Sequence, residues 1–234
     1  MSKKNKVLNE ILVIAIILSC LLGSIHFNCF NTRYYTKQHN EILLNGKHIS
    51  EYIGISDEAL KELTSFTLNY LNDPKANLNI QMEVKGKIRE IYTDDEKLHM
   101  EDVRKLNLSA NYILLTSLCI LLIGGYYFNK KELDYRSLYL QYKKGIIFTL
   151  FIFTFIAFFI FVDFDSFWTL FHKIFFRGNE LWLLDLSKDI LIMIVPPEFF
   201  NHLVVKIVLD FIILILGFDV VLKILSLRKS ENND

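Results

Sequence analysis

Cysteine is scarce, with three residues at positions 20, 29 and 119 and no CxxC spacing among them. Neither a disulfide framework nor a zinc site is suggested. Charge of one sign is also missing: 26 basic side chains balance 26 acidic ones, which excludes a nucleic-acid footprint and an acidic interaction tail. No HExxH, GxSxG, P-loop or GxGxxG occurs, and zincin, nucleophile-elbow hydrolase and nucleotide-binding readings fall with them. No internal repeat is evident, and no ligand spacing asks for a metal or cofactor.

Apolar residues, by contrast, are abundant. Hydrophobic side chains make up 52% and aromatics 14% of 234 residues, and the mean hydropathy is +0.30. That is too much apolar surface for one soluble core of this length, so a membrane class follows. The apolar residues fall in four runs, predicting transmembrane segments near Val7–Ile25, Leu108–Phe128, Ile146–Val162 and Leu203–Leu225. A signal peptide is the rival reading of the first run, but no small-x-small cleavage site follows it and the run outlasts a short h-region. Leu18-Ser19-Cys20 makes a poor lipobox, because LLGSI continues the apolar stretch beyond it.

Basic residues set the orientation. Lys3, Lys4 and Lys6 precede the first run; Lys130, Lys131, Arg136, Lys143 and Lys144 follow the second; Arg228 and Lys229 follow the fourth. The expected fold is therefore an all-α integral membrane protein with four transmembrane helices and both termini cytoplasmic. Residues 1–29 are the tail and first span, 30–107 an extracytoplasmic α+β-type loop domain, 108–128 the second span and 129–145 a cytoplasmic loop. Residues 146–162 form the third span, 163–202 an extracytoplasmic interfacial helical segment, 203–225 the fourth span and 226–234 a cytoplasmic tail.

The 30–107 segment has punctuation of its own. Asn45-Gly46 and Lys85-Gly86 each predict a tight hairpin, and Ser56-Asp57-Glu58 opens an amphipathic helix that Asn72-Asp73-Pro74 ends. Thr93 and Glu96 make a capping box before a helix carrying His99. On that helix Asp95 and Asp102 share a face with His99, where a carboxylate one turn away orients an imidazole and raises its basicity. In the second outward segment, Phe167, Phe171, His172, Phe175 and Phe176 recur at helical spacing. Trp168 and Trp182 suit an aromatic layer at headgroup depth. Pro196-Pro197 breaks any helix, so PPEFF is expected as a turn that aims Glu198 at the interface.

Other polar groups have plainer explanations. His26, His39 and His48 read as structural or solvated, and His202 as an interfacial anchor. Asp210 lies within the fourth run, where a charge at a helix centre costs about 2.5–3.5 kcal/mol. Lys206 one turn earlier supplies a snorkelling partner, and Asp219 with Lys223 repeats the pattern.

HMEDV at His99–Val103, FWTLFHKIFF at Phe167–Phe176, the spacing on to Trp182 and Asp185, and LIMIVPPEFF at Leu191–Phe200 together resemble the lipoprotein intramolecular transacylases, the Lit family of Gram-positive bacteria. The resemblance extends over nearly the whole chain. It implies a membrane acyltransferase that moves the sn-2 acyl chain of a diacylglyceryl-cysteine lipoprotein onto the α-amine of the same cysteine, leaving a lyso-form lipoprotein. It also implies that His99 and His172 are the essential pair, which the charge pattern places on one side of the membrane.

Such a shift needs a base for the amine, a donor for the leaving oxygen and a holder for the oxyanion. His99 is the expected base, with Asp95 and Asp102 as orienters, and His172 the acid or oxyanion partner, although the two roles are exchangeable on sequence. Trp182 and Glu198 are expected to support the site, while Arg104, Arg177, Trp168, Phe171 and Phe176 are candidates for contact with lipid or substrate. No cofactor is required, and the partners are a diacylated lipoprotein and membrane lipids. The alternative is a non-enzymatic membrane sensor or complex subunit that binds a partner through its extracytoplasmic domain. A transporter would rest only on Asp210 and Asp219.

Overall fold

The computed structural model describes residues 3–130 and 134–231; Lys131, marked above as cytoplasmic, and the tail beyond Glu231 lie outside them. In chain order the elements are α1 (Lys3–Cys29), α2 (Thr32–Glu41), β1 (Leu43–Leu44), β2 (Lys47–His48), α3 (Ile49–Ile53), α4 (Asp57–Asn72), β3 (Gln81–Val84) and β4 (Lys87–Glu90). Then follow α5 (Asp94–Lys130), α6 (Tyr135–Val162), α7 (Phe164–Phe175), α8 (Ile190–Ile194) and α9 (Pro197–Glu231). Within α1, α5 and α6, the stretches Asn5–Cys29, Asp94–Phe128 and Tyr135–Val162 are long and apolar enough to cross a membrane. α9 is equally long but carries Lys206, Asp210, Asp219 and Lys223 along its apolar run.

The chain divides into two units. One comprises the residues up to Phe27, Ala110–Val162 and those from Val205 onward. Its core joins Leu12, Val13 and Ile16 of α1 to Phe128, Tyr142, Phe211 and Ile215. Gly124 and Gly145 allow close approach, because a Cβ on Gly145 would lie 2.7 Å from Val13 Cγ1 and one on Gly124 would overlap the Leu12 side chain. Tyr142 Oη donates to the Ile215 carbonyl at 2.6 Å, satisfying a hydroxyl that hydrocarbon would otherwise penalise. The outer faces are apolar and bare: Phe161 is 89% exposed, Leu122 76% and Phe151 74%. So large an apolar surface suits lipid rather than water.

The second unit comprises Asn28–Ser109 and Asp163–Val204, and its local structure follows from short-range signals. Asn31 Oδ1 and Ser56 Oγ accept from backbone N–H groups in the first turns of α2 and α4, as N-caps do. Both hairpins form where Asn45 (φ 50°) with Gly46 (φ 79°) and Lys85 (φ 52°) with Gly86 (φ 78°) take left-handed conformations. Such residues set the twist of two-residue turns. The register pairs Leu44 with Lys47 in one hairpin and Val84 with Lys87 in the other. Leu60 and Leu63 of α4, with Tyr92, are buried at its core.

The structure departs from the sequence expectations in several places. The capped helix near His99 and the second apolar run are one continuous helix, α5, because nothing between Lys105 and Leu108 breaks it. The polar loop after the first run holds α2 and α3, which its low hydrophobicity hid. Most of the expected 129–145 loop is helical, since α6 begins at Tyr135. PPEFF is not a turn: α8 ends at Ile194, and Pro197 opens α9, a position that needs no N–H and suits a fixed φ. Asp219 pairs with Lys143 of α6 at 3.3 Å rather than with Lys223, which is exposed. Lys206 and Asp210 do pair, at 2.9 Å.

Candidate active site

His99 on α5 and His172 on α7 meet within the second unit, with ring centroids 6.1 Å apart and planes inclined by 31°. Both are buried, at 7% and 4% exposure. Each owes its place to helix periodicity. Around α7, Trp168, Phe171 and His172 fall on one face through their three- and four-residue spacing, and Asp163 caps the helix by accepting from Ser166 N at 2.9 Å. Phe176 lies against both imidazoles, 5.2 Å from His99 and 5.4 Å from His172. Trp182 stacks on His172 at 4.8 Å, and Trp168 meets it edge-on at 4.3 Å. Two nitrogen heterocycles thus sit in an aromatic chamber.

The hydrogen bonds distinguish the two rings. His172 Nδ1 lies 2.8 Å from the carbonyl oxygen of Trp168. A carbonyl only accepts, so Nδ1 carries the hydrogen and Nε2 of the neutral ring keeps its lone pair. His99 Nδ1, by contrast, is buried without a hydrogen-bond partner among the described residues. Burial disfavours the charged form of each ring. It pulls His172 below the ordinary histidine value, with the Trp168 hydrogen bond opposing. His99 is pushed down to about 4, chiefly by desolvation and secondarily by His172, with Asp102 pulling the other way. At neutral pH both imidazoles are uncharged.

Two buried carboxylates hold the surrounding backbone. Glu96, fully buried, accepts Thr93 N at 2.7 Å and, through its other oxygen, Leu191 N at 2.7 Å. Thr93 Oγ1 accepts Glu96 N at 3.3 Å, which completes the capping box. Glu96 thus fastens the start of α5, one turn before His99, to the start of α8. Desolvation raises its pKa, and the bonds to Leu191 and Thr93 oppose that rise. Asp189 accepts Asp185 N at 2.7 Å and closes the loop before α8. Asn179, in the segment after α7, donates to Asp102 at 3.1 Å and so ties that segment to α5.

The remaining candidates separate. Asp95 is exposed, and no hydrogen bond or ion pair links it to either imidazole among the described residues. Asp102 acts on His99 through space while bonding Asn179 and Lys105. Arg104 is engaged elsewhere: its Nη1 donates to the Ala76 carbonyl at 2.7 Å, and its guanidinium lies 4.3 Å over the Tyr70 ring. Arg177 and Glu198 are exposed.

Of the other histidines, His39 is buried and donates from Nε2 to the Ile194 carbonyl, and His48 is exposed on β2. His26 pairs with Asn111 at 3.1 Å. His202 is exposed and donates from Nδ1 to Gln38 at 2.6 Å. Sequence reasoning missed the pinning role of Glu96, which it had only as a cap, and missed Asn179 entirely; an isolated Asn gives no pattern to find. Among the described residues no group of three His, Cys, Asp or Glu side chains is arranged to hold a metal.

The family profile described as lipoprotein intramolecular transacylase Lit matches residues 10–200. The chain belongs to the Lit family. The matched span includes both histidines, both tryptophans and the PPEFF segment. Among solved structures, the membrane integral Lit of Bacillus cereus is similar, with a TM-score of 0.74 at 22% identity, covering 100% of this chain and 99% of that one. Two structures of the same Bacillus cereus protein, with one histidine replaced by arginine or by alanine, match with TM-scores of 0.70 at 20% identity. They cover 98% of this chain and 93% and 95% of theirs. At these identities the likeness establishes a shared fold. No curated protein matches the chain.

Proposed function

We propose that this Lit-family member transfers the sn-2 acyl chain of a diacylglyceryl-modified N-terminal cysteine to the α-amine of that cysteine, yielding a lyso-form lipoprotein. His172 serves as base and then acid, and His99 as the hydrogen-bond donor to the oxyanion. The observation that carries the reading is the meeting of two neutral, buried imidazoles inside an aromatic chamber. In this proposal the chain crosses the membrane four times with both termini cytoplasmic. The chamber faces the extracytoplasmic side, where the substrate's lipid enters sideways from the outer leaflet.

The hydrogen bonds favour His172 as the base, the reverse of the order suggested by the carboxylates near His99. With Nδ1–H held by the Trp168 carbonyl, the Nε2 lone pair is available to an amine. The substrate α-amine has a reference pKa near 7.7–8.0, so its neutral form attacks the ester carbonyl. As the C–N bond forms, His172 takes the surplus amine proton. His99, held neutral by its low pKa, donates an N–H to the tetrahedral oxyanion. Collapse breaks the ester C–O bond, and imidazolium His172 returns the proton to the departing glyceryl oxygen. Atoms and charge balance without water, metal or acyl-enzyme. Ester and amine belong to one molecule, so orientation supplies much of the rate, with effective molarities of about 10⁵–10⁸ M in favourable cases.

The test is mass spectrometry of a synthetic diacyl lipopeptide incubated with purified protein. N-acylated lyso-lipopeptide is the expected product from the wild type, and its absence from His172→Ala and His99→Ala is required. A product that persists in either variant removes that imidazole from the mechanism, whereas a silent wild type favours the partner-binding reading.

A further inference from the structure

Within the second unit lies a cleft of about 750 Å³ whose lining includes neither His99 nor His172 nor the aromatic side chains around them. Three segments build it: the β3–β4 hairpin, α3, and the loop entering α8. Hydrogen bonds tie them together: Lys85 N donates to the Gly54 carbonyl at 3.0 Å, and the Tyr52 hydroxyl donates to the Leu186 carbonyl at 3.4 Å. Gly54, at φ 87°, leaves room for the stem of Lys85; a Cβ there would come within 2.5 Å of Lys85 Cγ. The side chain is thereby laid along a fixed surface instead of ranging freely.

The cleft is cationic at its rim and apolar at its floor. Lys85, Lys87, Arg89 and Lys188 line it, and Lys87 and Arg89 share a face of β4 through the two-residue strand period. None of the four is in an ion pair among the described residues. Nearby carboxylates are committed elsewhere: Glu90 pairs with Lys97 at 2.8 Å, and Asp185 accepts from the backbone and hydroxyl of Ser187, although its charge still reaches Lys188. Beneath the cations lie Ile53, Val84, Ile190 and Met193, each no more than 6% exposed. Four like charges gathered over an apolar floor repel one another unless an anion joins them.

We infer that this cleft is a binding site for the phosphate-bearing headgroup of an anionic lipid, separate from the acyl-transfer centre. A phosphate offers several strong acceptor oxygens to ammonium and guanidinium donors. The apolar floor matches the carbon skeleton next to the phosphate, which a free phosphate ion lacks. The site would anchor this unit to an anionic membrane surface or hold a lipid beside the reaction without entering it.

The experiment measures binding of short-chain phosphatidylglycerol, short-chain phosphatidylcholine and inorganic phosphate to the full-length protein in detergent, by native mass spectrometry and titration. Two variants are compared. Lys85→Gln/Lys87→Gln/Arg89→Gln removes rim charge, and Lys37→Gln/Lys61→Gln/Lys75→Gln removes equal charge from exposed sites elsewhere. The expected result is preference for phosphatidylglycerol, weakened at least about tenfold in the first variant and unchanged in the second, since each charge-assisted contact contributes about that much. Equal weakening in both variants, no lipid preference, or saturation by inorganic phosphate at lower concentration than the lipid would overturn the assignment. The readout is independent of acyl transfer, so its failure leaves the histidine mechanism standing.

Discussion

Replacing Glu96 by Gln would separate scaffolding from chemistry in this site. The carboxylate accepts two backbone N–H groups through different oxygens, Thr93 N and Leu191 N, each at 2.7 Å, in a fully buried position. Gln keeps the volume but has only one accepting oxygen; its NH₂ end turns a donor toward one of those N–H groups. One buried N–H is left unpaired at a cost of about 1–3 kcal/mol. For a chain of this size, each 1 kcal/mol moves Tm by about 2–4 °C. The Gln variant should therefore melt roughly 2–12 °C lower in detergent, the product of those two ranges. Because the pin lies one helical turn before His99, turnover should fall as well, with rate recovered in part by Glu96→Asp. The assays are a thermal melt by tryptophan fluorescence and lyso-lipopeptide formation by mass spectrometry. An unchanged melt and unchanged turnover in Glu96→Gln would refute the claim that this carboxylate holds α5 to α8.

Other outcomes follow from the same geometry. His172→Asn keeps an N–H but has no basic nitrogen, so single-turnover transfer should drop by about 10²–10⁴ while lipopeptide binding in a filter assay stays near wild type. In a pH series, kcat/KM should fall as pH drops through a histidine limb below 6.5, because burial lowers the His172 pKa, and should rise toward the amine limb near 7.7–8.0. A histidine limb above 6.5 would contradict the burial argument. For His99, whose folded pKa of about 4 lies below its unfolded value of 6.5, the unfolded chain binds the extra proton first. Stability should be full above pH 6.5 and be lost progressively down to about pH 4, and His99→Asn should flatten that part of a melting-temperature profile. Asp210→Asn should leave transfer within about twofold in the same lipopeptide assay, since its partner Lys206 lies on its own helix at 2.9 Å and such pairs contribute little.

Local signals were legible. The Thr93–Glu96 box, the Ser56 cap and both Gly-containing hairpins appear where their residues announced them, because each depends on a few neighbouring side chains. What depended on packing direction was not. His99 and Asp95 are four apart and share a broad helical stripe, yet the face that turns inward at this end of α5 runs through Glu96, His99 and Met100, leaving Asp95 in solvent. Arg104 illustrates the same limit: its charge suggested a headgroup, but the carbonyl of Ala76 and the ring of Tyr70 claim it. The pairing of His99 with His172 was not readable from spacing at all. It came from the positive-inside pattern and from a family resemblance. α9 hid its beginning because a proline pair suggests a break, while one proline at the first helical position is compatible with continuing.

The partner of His172 Nδ1 is a piece of main chain, the carbonyl of residue 168 within its own helix. A carboxylate orienter can be deleted by one substitution or silenced by acid; a peptide oxygen can be neither. Whatever side chain occupies position 168, the ring keeps the same tautomer as long as α7 stays wound, so the base's readiness is inherited from helix geometry. Only a change that unwinds that turn, such as a proline just after residue 172, could reset it.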